Sequence, residues 1–420
     1  MLLKTRMAEI VRDFIGEKYR KDFKETATAA REDCLWQRVV DAGSTLWLDT
    51  GDIDAALRLW NSAFSALTTN NTLLNSEVQK GIYDRLIPEA VKTLRAAEPD
   101  IDRRNLVREI AFILNAVHGL RLADRFSCDV SVELHTDFAH DVESSVECAL
   151  RFHEIDPRRF IVKLPLTPSG LIAVRRLSDR GLRVNFTLGF SARQNYVAAL
   201  LAKPAFVNVF MGRLNAFVAD NNLGDGKNIG EKATLATLGL VRSLRKKGLS
   251  PTRLIGASIR NDAQIAAVAG TDVLTMPPKA AQQFHDANPL EIAVATAADL
   301  HVDLAQGIVL SVFNGATLWE MPDTFARCAE TLAADDIAVM PPEMLRRHFE
   351  EAGFRDFLPR WSPEEYATAT KDGKIPVFAT WKEKLASGKI GLDALMNLSA
   401  LCSFAADQKA LDDRIEKHLD

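Results

Sequence analysis

At 420 residues the chain can hold one large α/β domain with added elements, or two domains. Hydrophobic residues make up 47% and charged residues 26%, and a net charge of -4 with no long Lys/Arg block argues against a nucleic-acid surface. No apolar run reaches membrane-spanning length, and five scattered cysteines (Cys34, Cys128, Cys148, Cys328, Cys402) lack CxxC spacing, so they read as free thiols in a reducing, cytoplasmic setting.

Residues 1–19 place Leu3, Met7, Ile10, Val11, Phe14 and Ile15 on one helical stripe. Glu9, Asp13 and Glu17 argue against an organelle presequence, so the stretch reads as an added helix packing on the domain or on a partner subunit. From 46 to 276 strand and helix patterns alternate. The strands are expected at 46–50, 66–70, 129–134, 160–166, 182–190, 205–211, 254–259 and 272–276. Helical patterns occupy 52–64, several stretches within 76–120, then 137–153, 169–180, 192–202, 229–247 and 262–269. Eight strands, each followed by helix, predict an α/β fold of the parallel (β/α)8 type, a TIM barrel. A doubly wound open sheet is the alternative. It carries a glycine-rich phosphate turn after its first strand, and Asp49-Thr50-Gly51-Asp52 is not one. Past 290 the rhythm changes. Segments 292–310 and 324–334 read as helices, prolines and a glycine punctuate the stretch from 341 to 374, and 392–418 reads as a long helix, continuous or broken. The expected division is an N-terminal helical extension (1–44), the barrel (45–290), an irregular, mainly helical elaboration (291–377) and a C-terminal helical segment packing on the barrel (378–420).

Lys163 is the most informative single residue. It sits inside Phe160-Ile161-Val162-Lys163-Leu164-Pro165-Leu166-Thr167, a run that reads as a strand buried on both sides. Desolvation disfavours a charged amine, and a neutral amine is a nucleophile toward carbonyls. The bland alternative is a strand lysine that only pairs with a carboxylate. In a (β/α)8 barrel, chemistry collects at the C-terminal ends of several strands. The polar residues expected there are Asp49, Asn70, Glu133, Lys163, Asn185, Thr187, Asn208, Ser258 and Arg260. Buried and unpaired, each would cost about 1–3 kcal/mol, so this many at one end predict a polar pocket.

The order of motifs is also informative. Leu48-Asp49-Thr50-Gly51-Asp52-Ile53, Leu67-Thr68-Thr69-Asn70, Ser131-Val132-Glu133 and Val162-Lys163-Leu164-Pro165-Leu166-Thr167 come first. They are followed by Val184-Asn185-Phe186-Thr187-Leu188-Gly189-Phe190-Ser191, Phe210-Met211-Gly212-Arg213, Ala257-Ser258-Ile259-Arg260-Asn261, Asp272-Val273-Leu274-Thr275-Met276-Pro277 and, near the end, Phe404-Ala405-Ala406-Asp407-Gln408. In this order they resemble the transaldolase family across roughly 46–278 and 392–415. The segments before 46 and between 290 and 377 have no matching counterpart.

The resemblance implies transfer of a dihydroxyacetone unit from a ketose phosphate, of the fructose 6-phosphate or sedoheptulose 7-phosphate type, to an aldose phosphate through a lysine Schiff base. This is pentose phosphate pathway chemistry, with no cofactor and no metal. By carry-over Lys163 attacks the ketone. Asp49 takes and returns the proton of the hydroxyl at the broken bond. Glu133 works with Thr187 through a water in imine formation. Asn70, Asn185 and Asn208 hold the three-carbon unit, and Arg213, Ser258 and Arg260 clamp the phosphate. The physics agrees, because an iminium is an electron sink and a carboxylate must accept the departing proton. The alternative for the arginines is structural ion pairing. The implied partners are sugar phosphates, without nucleic acid or membrane, and a homo-oligomer is left open.

Four positions depart from or specify the pattern. Asn71 stands where proline is usual, which predicts a looser turn beside the site. Asn208 replaces a serine facing the donor. Gly189 replaces a larger apolar residue, which predicts a wider pocket. Phe210 is the usual aromatic, whereas a tyrosine there is associated with relatives that act as free aldolases, so phenylalanine favours transfer. The competing readings are a class I aldolase or transaldolase-like enzyme with a non-standard sugar, a metal-dependent aldolase or hydrolase built on Glu133, His135, Asp137 and His140, and a non-catalytic sugar-phosphate binder. The metal reading lacks HExxH or CxxC spacing. A binder has no need of Lys163, Asp49, Glu133 and Thr187 together.

Overall fold

The eight strands form and close on themselves. The computed structural model describes residues 2–419, so Met1 and Asp420, the outer ends of the expected terminal segments, lie outside the described residues. The strands are β1 (Thr45–Asp49), β2 (Phe64–Thr68), β3 (Asp129–Glu133), β4 (Phe160–Pro165), β5 (Val184–Thr187), β6 (Phe206–Phe210), β7 (Arg253–Ala257) and β8 (Val273–Met276). All pair in parallel in sequence order, and β1 closes the barrel on β8. The fold is therefore a (β/α)8 barrel with helical additions at both ends, not an open sheet. The strands form because their apolar runs are shielded on both faces, which parallel sheets require.

Parallel register then sets the site. Glu133 on β3 lies level with Lys163 on β4, and Lys163 lies level with Asn185 on β5. Asp49 on β1 lies level with Thr68 on β2. Side chains two residues apart share a face, so Trp47 points the same way as Asp49, and Phe206 the same way as Asn208. Trp47 and Phe206 come from strands that are not neighbours, yet their rings meet edge-on at 4.9 Å. They meet through the barrel interior and fill it beneath the polar rim.

Several element ends differ from expectation for local reasons. The expected strand 182–190 stops at Thr187 because Leu188 adopts a left-handed φ of 67°. The expected strand 205–211 stops at Phe210, where the unexpected helix Met211–Asp220 begins. The helix expected at 52–64 is only Ile53–Leu57, capped by Asp52. Asp141 caps the helix Val142–Ile155, so the expected start at 137 falls instead in a short 3-10 turn, Thr136–Phe138.

The helix expected at 292–310 does not form; the described segment holds only short 3-10 turns, Ala297–Asp299 and Leu310–Phe313. Its apolar side chains, including Ile292, Leu300 and Leu304, pack on the core from a strap laid over the helix Ile229–Lys246. The strap finds hydrogen-bond partners outside itself. Asn228 Nδ2 donates to the His301 carbonyl at 2.7 Å, Lys232 Nζ donates to the Leu300 carbonyl at 3.1 Å, and the Ala305 N–H donates to the Leu223 carbonyl at 2.9 Å.

Four α-helices lie between the strap and the C-terminal helix: Asp323–Leu332, Pro342–Glu351, Pro363–Asp372 and Phe378–Ala386. The first two surround their own aromatic cluster, in which Phe325 stacks on Phe349 at 5.4 Å and meets Phe357 at 5.0 Å. The C-terminal helix Leu392–Glu416 is unbroken. At the other end of the chain the helix Leu2–Lys18 buries Val11 and Ile15 against Leu86–Ala97 and Arg103–Phe126.

One buried ion pair ties these parts together. Arg193, just after β5, donates from Nε and Nη2 to both oxygens of Asp393 at 2.8 and 2.7 Å, and from Nη2 to Asp356 at 2.8 Å. Burial alone would lower the pKa of this guanidinium, but Asp393 and Asp356 outweigh burial and raise it. Removing one partner of a buried pair strands the other charge. Asp393→Ala is expected to lower the unfolding free energy by about 3 kcal/mol, the lower end of the usual range because Asp356 remains. Urea unfolding checks this; a loss below about 0.5 kcal/mol would show the pair is dispensable.

Candidate active site

The C-terminal rim of the barrel encloses a cavity of about 280 Å³. Asp49, Asn70, Lys163, Asn185, Asn208, Phe210, Arg213, Ser258 and Arg260 all line it. Glu133 and Thr187 do not form its wall. They stand behind it, buried, and bond to residues that do.

Lys163 is 5% exposed. Its Nζ lies 3.7 Å from Glu133 Oε1, 3.4 Å from the Thr69 carbonyl and 5.5 Å from the centre of the Phe404 ring. One side of the amine therefore meets a carboxylate, another a carbonyl and a third an aromatic face. Glu133 is also held by the backbone: the Asn71 N–H donates to its Oε2 at 3.2 Å. Asn71 does not loosen the turn as expected. It opens the helix Asn71–Val78, capped by Asn70, and its Nδ2 donates to the Leu134 carbonyl at 3.1 Å.

Asp49 accepts from Thr68 Oγ1 at 2.8 Å. Thr68 has one proton and gives it to the carboxylate, so Thr275, 2.7 Å away, must donate to Thr68. Burial pushes the pKa of Asp49 up, opposed by Lys163, Thr68 and Arg260. Burial raises Glu133 too, opposed mainly by Lys163. Both carboxyls are thus stronger bases than exposed ones, and Lys163 is the largest charge restraining each.

Asn208 donates from one amide to Asn185 Oδ1 at 3.1 Å and to Thr187 Oγ1 at 3.0 Å. Because Thr187 accepts there, its own hydroxyl proton is free to donate elsewhere. Asn185 passes the chain on to Ser131 Oγ at 3.2 Å. Gly189 does not widen the pocket. A Cβ there would collide with the Asn208 carbonyl and the Asn195 side chain, so Asn195 already fills the space.

The cationic end is underpaired. Arg213 is 6% exposed, between the rings of Phe210 and Phe404 at 5.8 and 5.5 Å, and its Nη1 is buried without a hydrogen-bond partner. Burial and the nearby Arg260 pull its pKa down to about 10. Among the described residues no carboxylate forms a direct ion pair with the Arg260 guanidinium, although its charge lowers the pKa of Asp49. Ser258 turns the chain between them with a left-handed φ of 59°. Gly212 allows the close approach, since a Cβ there would meet the Ser258 carbonyl and the Arg260 side chain. Two guanidiniums held close together without a direct ion pair have the chemistry to receive an anion.

The residues of the metal reading do not converge. His135 pairs with Asp412 at 3.2 Å and accepts from the Asp137 N–H at 3.1 Å. Asp137 is held by Arg104 and Arg108, and His140 meets Tyr366 at 3.3 Å. Sequence reasoning missed Thr68, Thr275, Phe404 and Lys374 as cavity-lining residues. Thr68 stands two residues before Asn70 in a strand motif, so its shared face was available as a signal. Phe404 lay in a recognised motif without a role. Lys374 had no signal at all, since its place depends on how a distant segment folds back.

A (β/α)8 barrel whose strand ends carry ionisable groups around an enclosed mouth is an enzyme architecture. The chain belongs to the transaldolase/fructose-6-phosphate aldolase family, whose profile matches residues 46–314, and it is an enzyme of the transaldolase type. It is similar to the transaldolase of Xanthomonas campestris pv. campestris (strain B100), 29% identical over 302 residues that span 70% of this chain and 87% of that protein. It is also similar to the transaldolase of Protochlamydia amoebophila (strain UWE25), 28% identical over 58% of this chain and 76% of the relative. The transaldolase of Xanthomonas euvesicatoria pv. vesicatoria (strain 85-10) is 32% identical over 56% and 73%.

The electrostatics give a direct test. Carboxyl-selective NMR titration is expected to find Asp49 and Glu133 protonating above the ordinary carboxylate range of about 4. Lys163→Met, which removes the largest charge restraining them, should move both higher still. Titration of either at or below the ordinary range would refute the assignment.

Proposed function

We propose that the protein transfers a dihydroxyacetone unit from a ketose phosphate, of the fructose 6-phosphate or sedoheptulose 7-phosphate type, to an aldose phosphate through an imine on Lys163. The observation that carries the reading is a buried amine that meets the Glu133 carboxylate and shares one cavity with Asp49 and with the underpaired Arg213.

The steps come from the groups present. Lys163 Nζ attacks the ketone carbon of the donor, and the carbonyl oxygen leaves as water after protonation. Glu133, 3.7 Å from that nitrogen, is positioned to move protons in this step, and Thr187 can orient a water with its free hydroxyl proton. The iminium then draws the electron pair of the breaking C–C bond, while Asp49 accepts the proton of the adjacent hydroxyl. The aldehyde fragment leaves and an enamine stays on the lysine. A second aldehyde enters, the enamine carbon attacks it, Asp49 returns its proton, and hydrolysis frees Lys163. Asn70, Asn185 and Asn208 offer amides to the hydroxyls of the three-carbon unit. Arg213, Ser258 and Arg260 receive the phosphate.

Transfer is favoured over simple cleavage by the wall above the enamine. Phe210 packs edge-on against Phe190 at 5.7 Å and lies 6.3 Å from Phe404, so this side offers no hydroxyl to protonate the intermediate. The competing reading, a free aldolase on a non-standard sugar, predicts release of the aldehyde without an acceptor.

Borohydride with fructose 6-phosphate should trap the protein, and peptide mapping should place the adduct on Lys163; Lys163→Ala should abolish trapping and turnover. An adduct on another lysine would overturn the assignment. Asp49→Asn should still be trapped yet lose about 10²–10⁴-fold in turnover, whereas Glu133→Gln should slow the trapping itself. The same defect at the same step in both variants would refute separate roles.

The rate should also fall as pH drops through the carboxyl pKa values, since Asp49 must be ionised to accept a proton. Burial raises those values, so the acid limb of kcat/KM is expected above the ordinary carboxylate range of about 4. An acid limb below it would contradict a buried carboxylate base.

A further inference from the structure

Besides Lys163 and the two arginines, the mouth of the barrel has a basic residue from outside the stretch that the family profile matches. Lys374 lines the same cavity as Arg213 and Arg260, yet it comes from the segment after the helix Pro363–Asp372, beyond the stretch 46–314 that the family profile matches. We propose that Lys374 is a specificity-determining residue of the reaction above: with Arg213 and Arg260 it completes a three-cation seat that selects substrates carrying a phosphate dianion. The inference rests on the imine-transfer reading for its reaction and on the cavity alone for its anion.

The backbone around Lys374 is fixed rather than free. Gly373 leaves the helix with a φ of 84°, and its carbonyl accepts from Ser399 Oγ of the C-terminal helix at 2.7 Å. Asp372 accepts from the Val377 N–H at 3.0 Å and from Trp381 Nε1 at 2.8 Å. Asn221, at the end of the helix that begins with Met211 and carries Arg213, donates to the Pro376 carbonyl at 3.0 Å and accepts from the Phe378 N–H at 2.8 Å. The loop is therefore pinned to the C-terminal helix on one side and to the arginine-bearing helix on the other. Lys374 is the one residue of this pinned stretch that lines the cavity, and it stands exposed at the cavity's edge.

That cation is uncommitted. Among the described residues no carboxylate pairs with Lys374, and its neighbour Asp372 is occupied by Trp381 and Val377. Lys163 is the charge that acts most strongly on Asp49 and, behind the wall, on Glu133. A phosphate held by Arg213, Arg260 and Lys374 leaves the carbon chain of the sugar to face Lys163, so the anion sets which end of the substrate reacts. An ammonium on a flexible stem suits this task, since it can follow the anion inward while two rigid guanidiniums fix the phosphate.

The test compares kcat/KM for glyceraldehyde 3-phosphate and for glyceraldehyde, with a common donor, in the wild type, Lys374→Met and Lys374→Arg. Lys374→Met should lose about tenfold on the phosphorylated acceptor, through KM with kcat retained, and nothing on glyceraldehyde. Lys374→Arg should restore the preference. An equal loss on both acceptors, or none on either, overturns the proposal. A second arm does not depend on the reaction. Inorganic phosphate should raise the Tm of the wild type and of Lys374→Arg more than that of Lys374→Met at matched ionic strength. If the wild type is inactive on these sugars, the transfer reading fails, and equal phosphate-induced shifts in wild type and Lys374→Met would then overturn the seat as well.

Discussion

The arrangement of the mouth depends on the buried pair between Arg193 and Asp393. Asp393 begins the long C-terminal helix, Arg193 comes just after β5, and Asp356 brings in the added helices. The guanidinium also lies over the rings of Phe325 and Phe357 at 5.8 and 5.4 Å, so charge and aromatic packing anchor the same point. One turn along the helix, Asn397 Nδ2 donates to the carbonyls of Leu166 and Leu188 at 3.0 and 2.9 Å. These are the residues just beyond β4 and β5. A single helix thus fixes the ends of the two strands that carry Lys163 and Thr187, and further along it sets Phe404 against the lysine.

The chemistry of the rim depends on what that covering excludes. In a site shielded from water, charges act on one another more strongly than they would at the surface. The carboxyls of Asp49 and Glu133 become more basic by burial, and the lysine between them keeps that shift in check. Arg213 sits at the other extreme, a buried guanidinium between two aromatic rings with an orphaned Nη1. A protein tolerates such a group when something outside the chain completes it. Such an unpaired buried group costs stability, and on the proposed function that cost goes to a site organised in advance for its substrate.

Much of this was legible in the sequence because the barrel strands are apolar runs broken by polar residues at one end. Lys163, Glu133 and Asn185 could be placed at the rim from pattern alone, and the register then set them side by side. What was not legible depends on distance along the chain. The apolar spacing at 292–310 fits a helix, yet Asn228, Lys232 and Leu223 supply hydrogen bonds that an isolated segment would have to make internally, so a strap forms instead. The start of Met211–Asp220 was hidden because Phe210-Met211 continues the apolar strand without a break or a side-chain cap. Gly189 looked like missing volume, but Asn195 from the next turn of chain occupies it. Lys374 reaches the cavity only through a loop held by Ser399 and Asn221, and nothing local in Asp372-Gly373-Lys374 encodes that destination.

The main-chain N–H of Asn71 has a consequence that side chains do not record. It donates to Glu133, and this bond lowers the affinity of the carboxylate for a proton. A proline at the same position has no such hydrogen to give. Any of the other residue types would preserve the bond whatever its side chain, so the acidity of Glu133 is tuned by the backbone and is indifferent to most changes at position 71. Two homologous sites with identical catalytic side chains can therefore differ in proton affinity through one imino-for-amino exchange, a difference that side-chain comparison would pass over.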